Sequence, residues 1–131
     1  MTRVFLTGAF GNVGANALIH LARQGADIVT FDLPGERNRR WAEKLAQHHP
    51  FTPFWGDLRR PDDIAGALQQ AAPDVVIHLA AVIAPTAYVQ PELAYAVNVH
   101  GTRHLLTAAA GLASPPHVIY TSLFVGSVRC V

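Results

Sequence analysis

The sequence predicts an α/β protein built on a doubly wound parallel sheet, and three observations support this prediction. Short β-branched and aromatic runs alternate with helix-forming stretches, a glycine-rich turn follows the first run, and half of the 131 residues are apolar. Consecutive parallel strands need a crossover connection, which a helix supplies in right-handed sense. We therefore expect helices on both faces of one sheet, the strand order 3-2-1-4-5, and a single domain over residues 1–131.

The first part of the chain predicts a complete βαβ unit. Residues 3–7 form a β-branched and aromatic run, which indicates a strand. Apolar side chains then recur at helical intervals over residues 12–24, and Gly25 ends this helix. Residues 27–31 form a second buried strand, which ends at Asp32.

The same alternation continues along the rest of the chain. Its segments are a helix over 36–48, a strand over 51–55, a helix over 61–71, a strand over 74–79, a helix over 91–112 and a strand from 117 to 121 or 122. Pro61 falls in the first turn of its helix, where a missing N–H is tolerated. In such sheets ligands bind at the carboxyl ends of the strands where the strand order reverses, so we expect a site between the first and fourth strands.

The turn after the first strand, residues 7–14, reads Thr-Gly-Ala-Phe-Gly-Asn-Val-Gly and has the spacing G-x-x-G-x-x-G. Gly8 permits a tight turn, Gly11 lets the backbone approach a pyrophosphate, and Gly14 allows close packing of helix on strand. The helix N-terminus offers free N–H groups to phosphates. This predicts a Rossmann-type dinucleotide site, with a glycine-rich turn lacking a ligand as the alternative. The candidate residues are Gly8, Phe10, Gly11, Asn12, Val13 and Gly14.

Asp32 follows Gly8 at roughly the 20-residue offset at which a carboxylate binds the adenosine ribose hydroxyls of a dinucleotide. A 2′-phosphate would meet a like charge there, which favours NAD over NADP as the cofactor. Arg37, Arg39 and Arg40 follow closely and are within reach of a phosphate, although a charge run on a polar helix is usually a solvated face. The alternative for Asp32 is a strand-end carboxylate that caps the next turn.

Three later segments, taken with the glycine turn, resemble the extended short-chain dehydrogenase/reductase family, the NAD-dependent epimerases and dehydratases of nucleotide sugars. They are Gly56-Asp57-Leu58, His78-Leu79-Ala80-Ala81 and Val97-Asn98-Val99-His100-Gly101-Thr102. The resemblance implies that the aspartate of the first segment and its neighbour meet the adenine. It also implies that the small residues of the second segment let the main chain approach the cofactor, and that the asparagine of the third is a structural residue near it. The further candidates for the cofactor site are therefore Asp57, Leu58, Leu79, Ala80, Ala81 and Asn98.

Each of these segments also has an interpretation without a ligand. Asp57 precedes a helix by a few residues, where a carboxylate is favoured in any case. Ala80 and Ala81 are alternatively plain packing residues. Asn98 alternatively hydrogen-bonds only to neighbouring backbone, since buried amides need partners.

The histidines and the cysteine do not indicate a metal site or a nucleophile. His78 is interpreted as a strand-end histidine at the margin of the core. His100 and His104 lie one helical turn apart, but no third ligand accompanies them, so no metal is predicted. Cys130 is the single cysteine, which excludes an internal disulfide, and no base stands beside it in sequence.

The resemblance implies a catalytic Ser or Thr after the fifth strand, with a tyrosine base and a lysine four residues beyond that tyrosine. The base is needed because a hydroxyl loses its proton as hydride leaves for nicotinamide. Ser122 is the candidate hydroxyl and Thr121 the second choice; the alternative is a strand-end hydroxyl without catalytic duty. Lys44 is the only lysine and no tyrosine precedes it by four residues, so the Tyr-x-x-x-Lys pair is absent from these 131 residues.

Two functional hypotheses follow. The chain is the N-terminal fragment of an NAD-dependent epimerase, dehydratase or dehydrogenase acting by hydride transfer on a sugar-like hydroxyl substrate, truncated before the last strands and the substrate domain. Alternatively, it is a non-enzymatic dinucleotide-binding or sensing module. A flavodoxin-like protein shares the layer pattern without the glycine fingerprint and is the weakest alternative.

Charge and hydropathy limit the partners. A formal net charge of +1 offers no basic field for nucleic acid, and the longest apolar stretch is too short to cross a bilayer. No secretory signal is recognisable at the N-terminus, so a cytoplasmic location is expected. Apolar residues at helical spacing over residues 91–112 suit one face of the sheet, and the resemblance implies a homodimer that pairs this helix between subunits.

Overall fold

The computed structural model describes residues 1–121. Its strands are β1 (Arg3–Thr7), β2 (Asp27–Asp32), β3 (Thr52–Trp55), β4 (Val75–His78) and β5 (His117–Tyr120). They form one five-stranded, all-parallel sheet with the order β3-β2-β1-β4-β5. The predicted fold class and strand order are confirmed.

The α-helices are α1 (Asn12–Arg23), α2 (Glu36–Ala46), α3 (Pro61–Ala71), α4 (Thr86–Val89), α5 (Pro91–Tyr95) and α6 (Thr102–Ala110). A π-helical segment, Ala96–Gly101, joins α5 to α6, so the predicted long helix is one helical run with a widened middle. Neither this segment nor α4 is predicted from the sequence. A four-residue helix is too short for hydrophobic periodicity to reveal, and a π turn depends on local contacts rather than on propensity.

The central strand explains why two separate cores form. Successive side chains of a strand point to opposite faces, so Phe5 and Leu6 of β1 enter different clusters. Phe5 packs with Leu68 of α3 and Leu105 of α6, whereas Leu6 packs with residues of α1 and α2 that include Leu18. Helices therefore cover both faces of the sheet, as predicted.

The apolar residues at helical spacing in the run from α5 to α6 lie on its less exposed side. Gly101, Leu105 and Ala109 are buried, and Leu93 and Val97 are half-buried. A Cβ on Gly101 would lie 3.0 Å from the Cβ of Leu58, so the helix approaches the loop after β3 closely at this point. In the described residues 1–121, no helix combines the length and apolarity needed to cross a membrane.

Candidate functional site

A cleft of about 520 Å³ opens at the carboxyl ends of β1, β2 and β4, where the strand order reverses. Its volume falls in the range of about 300–1,000 Å³ typical of small-molecule sites. The predicted residues that line it are Gly8, Gly11, Asp32, Asp57, Leu58, Leu79, Ala80 and Ala81. The fold thus gathers predicted residues from four separate parts of the chain around one cavity.

Gly8 makes the turn that opens the cleft. Its φ of 66° lies in the left-handed region, which favours glycine. A Cβ at this position would lie 2.7 Å from the backbone N of Ala80, so β1 and the end of β4 pack without room for a side chain. The N–H of Gly8 donates to the carbonyl oxygen of Phe31 at 3.0 Å and ties the turn to β2.

Gly14 and Gly11 differ in what a side chain would meet. A Cβ on Gly14 would lie 1.9 Å from the carbonyl oxygen of Gly8, so α1 begins directly on top of the turn. A Cβ on Gly11 would contact only that same oxygen, at an ordinary 3.5 Å, and Gly11 lines the cleft. The main chain at Gly11 is therefore accessible from the cavity, which suits the close approach of a diphosphate.

The start of α1 offers N–H groups that the helix itself does not use. The first helical hydrogen bond is donated by Ala15 to Gly11 at 2.9 Å, so the N–H groups of Asn12, Val13 and Gly14 precede it. No side chain caps this end within the described residues, and its first turn carries no acidic residue. Asn12 and Val13 are exposed beside the turn and do not line the cleft.

Phe10, a predicted cofactor residue, does not line the cleft and contacts two cleft residues through its main chain. Its ring is buried and packs against Phe51 and Trp55, with centroid distances of 6.0 and 5.4 Å. Its N–H donates to Asp32 Oδ2 at 3.1 Å, and its carbonyl oxygen accepts from Arg37 Nη1 at 3.2 Å. The side chain is thus part of the core, and the peptide groups of Phe10 help to hold Asp32 and Arg37 in place.

Asp32 stands at the end of β2 with part of its acceptor capacity in use. Its oxygens accept the N–H groups of Phe10 at 3.1 Å and Leu33 at 2.9 Å. Burial raises the pKa of this carboxyl, and the two N–H groups and the nearby Arg37 oppose that rise. A carboxylate has about four acceptor positions, so positions remain for the two hydroxyls of a vicinal diol.

Arg37 lines the cleft, although its place in a charge run favours a solvated face. Arg37, Arg39 and Arg40 are all exposed, but Arg39 lies over the Trp55 ring at 4.9 Å and Arg40 pairs with Glu36. Only Arg37 of the three lines the cleft. No spacing rule separates these three arginines, because the difference arises from which way α2 faces.

The loop after β3 holds Asp57 against Arg59, a second lining residue that the sequence analysis missed. Arg59 donates its N–H at 2.9 Å and its Nη2 at 2.7 Å to the two oxygens of Asp57. These hydrogen bonds hold the pKa of the Asp57 carboxyl below its usual range. The Asp57 carboxylate makes no capping hydrogen bond to α3, whose capping residue is Arg60.

His78 lies in the core rather than at its margin, with 1% of its surface exposed. Its Nδ1 is 2.6 Å from Thr7 Oγ1, and its Nε2 is 2.9 Å from Thr102 Oγ1. Thr7 Oγ1 also accepts the N–H groups of Leu79 and Ala80, both at 3.1 Å. With both lone pairs used, the Thr7 hydroxyl donates to Nδ1, so Nε2 carries the proton of a neutral ring. Burial lowers the pKa of His78 to about 4, in agreement with this assignment.

Asn98 sits in the π-helical segment and fixes the wall of the cleft. Its Oδ1 accepts the N–H of Val82 at 2.8 Å, and its Nδ2 donates to the carbonyl oxygen of Val82 at 2.9 Å. Val82 lines the cleft, whereas Asn98 does not. The amide therefore bonds to backbone, but to a segment 16 residues away rather than to its neighbours.

Four other residues were considered in the sequence for catalysis or metal binding. Ser122 is outside the described residues, and Thr121 is exposed at their end. His104 Nδ1 donates to the carbonyl oxygen of Leu58 at 2.8 Å, and the ring of His100 packs edge-on against Tyr95. Among residues 1–121 no three His, Cys, Asp or Glu side chains converge as metal ligands.

The fold and the glycine turn define a Rossmann-type protein. The comparison with protein families is more specific: the chain belongs to the NAD dependent epimerase/dehydratase family, whose model matches residues 4–128. The resemblance stated from the motifs is thereby confirmed.

Three relatives illustrate the range of this family. The chain is 30% identical over 125 residues to CDP-paratose 2-epimerase of Salmonella typhi, covering 92% of this chain and 36% of that protein. It is 31% identical over 125 residues to 3-beta-hydroxysteroid dehydrogenase of Mycolicibacterium neoaurum, covering 92% and 31%. The crystal structure of UDP-glucose 4-epimerase from Brucella ovis in complex with NAD matches with a TM-score of 0.75 and 27% identity, covering 93% and 36%. The chain thus spans about a third of the length of these relatives.

Proposed function

We propose that this chain is the NAD-binding portion of an enzyme that transfers hydride at the hydroxyl-bearing carbon of a nucleotide sugar or a related substrate. The observation that carries the proposal is the glycine turn, where Gly14 closes on the carbonyl oxygen of Gly8 beside a cleft that also holds Asp32. Membership of the NAD dependent epimerase/dehydratase family and the NAD in the Brucella ovis relative support it.

Different residues of the cleft suit different parts of a dinucleotide. The N–H groups at the start of α1 and the open main chain at Gly11 suit the diphosphate. The free acceptor positions of Asp32 suit the adenosine ribose hydroxyls, and its charge opposes the 2′-phosphate of NADP. Asp57 and Leu58 receive the adenine, and the main chain from Leu79 to Ala81 borders the nicotinamide half. NAD, when bound, accepts and returns the hydride.

Ser122 is proposed to orient the substrate hydroxyl, following its place after β5. The tyrosine and lysine that would move the hydroxyl proton are not among these 131 residues. A second candidate function is a dinucleotide-binding or sensing module without catalysis. The coding DNA beyond Val131 separates the two: a Tyr-x-x-x-Lys pair within roughly one further strand-helix step favours the enzyme, and no such pair in any frame contradicts it.

Calorimetric titration of NAD and NADP into the chain tests the binding proposal. We expect NAD to bind at least about tenfold more tightly than NADP, and Asp32→Ala to remove the preference, as for the loss of hydrogen bonds to a charged group. Asp27→Ala is the matched control, because Asp27 is a carboxylate at the opposite end of β2 that pairs with Arg3. Equal binding of both nucleotides, or binding of neither, would contradict the proposal.

We further propose that the full protein is a homodimer paired through the helical run over residues 91–110. Large apolar side chains stay exposed along it: Tyr95 is 57%, Val99 38% and Leu106 47% accessible. Such a run of exposed apolar surface is typical of a protein contact.

A further inference from the structure

Beyond the proposed function, the loop after β3 contains a feature that the family motifs do not assign. The carboxylate of Asp57 lines the cleft with 17% of its side chain exposed, and Arg59 reaches back to it across one residue. Arg59 Nε lies 3.1 Å from both oxygens, Nη2 lies 2.7 Å from Oδ2, and the backbone N–H lies 2.9 Å from Oδ1. The guanidinium therefore grips the carboxylate with two of its nitrogens.

These hydrogen bonds restrict the rotation of the Asp57 carboxylate and occupy most of its acceptor positions. A carboxylate offers about four acceptor positions, and three N–H groups of Arg59 already use most of them. Because Nε is shared between the two oxygens, about one acceptor position is left for a ligand. Because Arg59 also keeps the pKa of Asp57 low, the carboxylate stays ionised and has no proton to donate.

The main chain of this loop is held independently of Arg59. The N–H of Asp57 donates to Asp63 Oδ2 at 3.0 Å, and the N–H of Arg60 donates to the carbonyl oxygen of Asp57 at 2.9 Å. His104 Nδ1 holds the carbonyl oxygen of Leu58 at 2.8 Å. Removal of the Arg59 side chain should therefore leave the carboxylate held only by the backbone N–H of residue 59, about which it can turn, while the loop stays in place.

We propose that Arg59 is a positioning residue that makes the cleft selective for an adenine base over a 6-oxopurine, by aiming the single free acceptor of Asp57 at the amino group. This inference rests on the proposed binding of NAD. Adenine presents N–H hydrogens at its 6-position, whereas hypoxanthine presents a carbonyl oxygen there and an N–H at the adjacent N1. A fixed carboxylate is repelled by the carbonyl oxygen, but a carboxylate free to swing reaches N1–H instead. Selectivity thus depends on the grip of Arg59 and not on the charge of Asp57 alone.

The test compares NAD with nicotinamide hypoxanthine dinucleotide by calorimetric titration of the full chain and its variants. For the unaltered chain we expect NAD to bind at least about tenfold more tightly, the value of one hydrogen bond to a charged group. Arg59→Gln should reduce that ratio to within about threefold, mainly because the hypoxanthine dinucleotide binds better. Arg59→Lys keeps the positive charge but cannot contact the carboxylate with two nitrogens of one planar group. The affinity ratio of this variant should therefore also lie well below that of the unaltered chain.

Arg60→Gln is the matched control. It removes the same charge from the same loop, and within the described residues the Arg60 side chain makes no hydrogen bond to Asp57 and does not line the cleft. The control should keep the original ratio, and equal unfolding midpoints establish that each variant folds. An unchanged ratio in Arg59→Gln, full recovery in Arg59→Lys, or an equal loss in Arg60→Gln would overturn the positioning role. Binding of neither dinucleotide to the unaltered chain would instead overturn the proposed function.

Discussion

Gly14 and Gly66 both lie within helices, but they differ in whether a side chain would fit. A Cβ on Gly14 would lie 1.9 Å from the carbonyl oxygen of Gly8, a contact with backbone that no rotamer change relieves. A Cβ on Gly66, inside α3, would meet nothing within 4 Å. Gly14 is thus required by the turn beneath it, whereas Gly66 only adds conformational entropy to the unfolded chain.

Alanine substitution separates these two glycines. Gly14→Ala should lower the free energy of unfolding by about 3 kcal/mol, because the overpacked contact must push α1 off the turn. Gly66→Ala should raise it by about 0.5–1 kcal/mol, the usual gain for a helix interior. Urea unfolding followed by circular dichroism measures both. A Gly14→Ala protein as stable as the original would show that the turn tolerates a side chain.

At the scale of secondary structure elements, a buried polar network joins β1, β4 and α6. His78 accepts from Thr7 and donates to Thr102, while the Thr7 hydroxyl holds the N–H groups of Leu79 and Ala80. The ring also stacks on Tyr120 of β5, at a centroid distance of 5.5 Å. The position of the cleft wall after β4 therefore depends on a neutral histidine.

This network predicts a loss of stability in mild acid. The pKa of His78 is about 4 in the folded chain, below the ordinary 6.5 expected on unfolding. The unfolded chain therefore takes up the proton first, so stability is complete above about pH 6.5 and falls as the pH drops towards about 4. The interval between the two pKa values corresponds to about 3 kcal/mol. Urea unfolding at a series of pH values measures this decline.

Two variants isolate the contribution of His78. His78→Gln should lower the stability at neutral pH but flatten its decline between about pH 6.5 and 4, because the titrating group is gone. His48→Gln removes an exposed histidine and should leave the decline as it is. If the original chain and His78→Gln decline in parallel, the buried ring is not the group responsible.

At the scale of the whole molecule, two surfaces of the described residues are relevant to self-association. One is the apolar face of the helical run, with Tyr95, Val99 and Leu106 exposed. The other is β5, which is the last strand in the sheet order, and whose Ile119 is 44% exposed. An unpaired strand edge associates through its backbone, so self-association alone does not identify the dimer surface.

Charged substitutions on each surface distinguish the two modes. If the helical run forms the dimer, Val99→Glu with Leu106→Glu should shift the chain to monomer, because two charges per subunit would be buried in the contact. Ile119→Lys should then leave the dimer intact. Sedimentation velocity at micromolar concentration measures both. A dimer that survives the helix substitutions and is lost with Ile119→Lys would place the contact at the sheet edge instead.

The sequence predicted the elements well where their signals are local. The predicted bounds of β1 and α3 agree with the structure, because β-branched runs, proline and glycine mark those boundaries directly. The predicted strand order agrees as well. Many candidate cleft residues were also predictable, since the carboxyl ends of parallel strands converge. Arg59 was not predicted, and Arg37 was one of three arginines within reach of a phosphate for which a solvated face was favoured, because a long side chain reaches a site only once its element is oriented. For Arg59, the close spacing to Asp57 at the end of a strand was an available signal.

The sequence by itself determined the layer order and the glycine turn, because periodicity, turn residues and backbone freedom are properties of short segments. Only the tertiary structure decided which side chains serve the cleft. It buried the ring of Phe10, turned the amide of Asn98 to Val82 and set His78 in a neutral network. Those outcomes depend on contacts between residues far apart in the chain, and their energies arise only when strands and helices have packed.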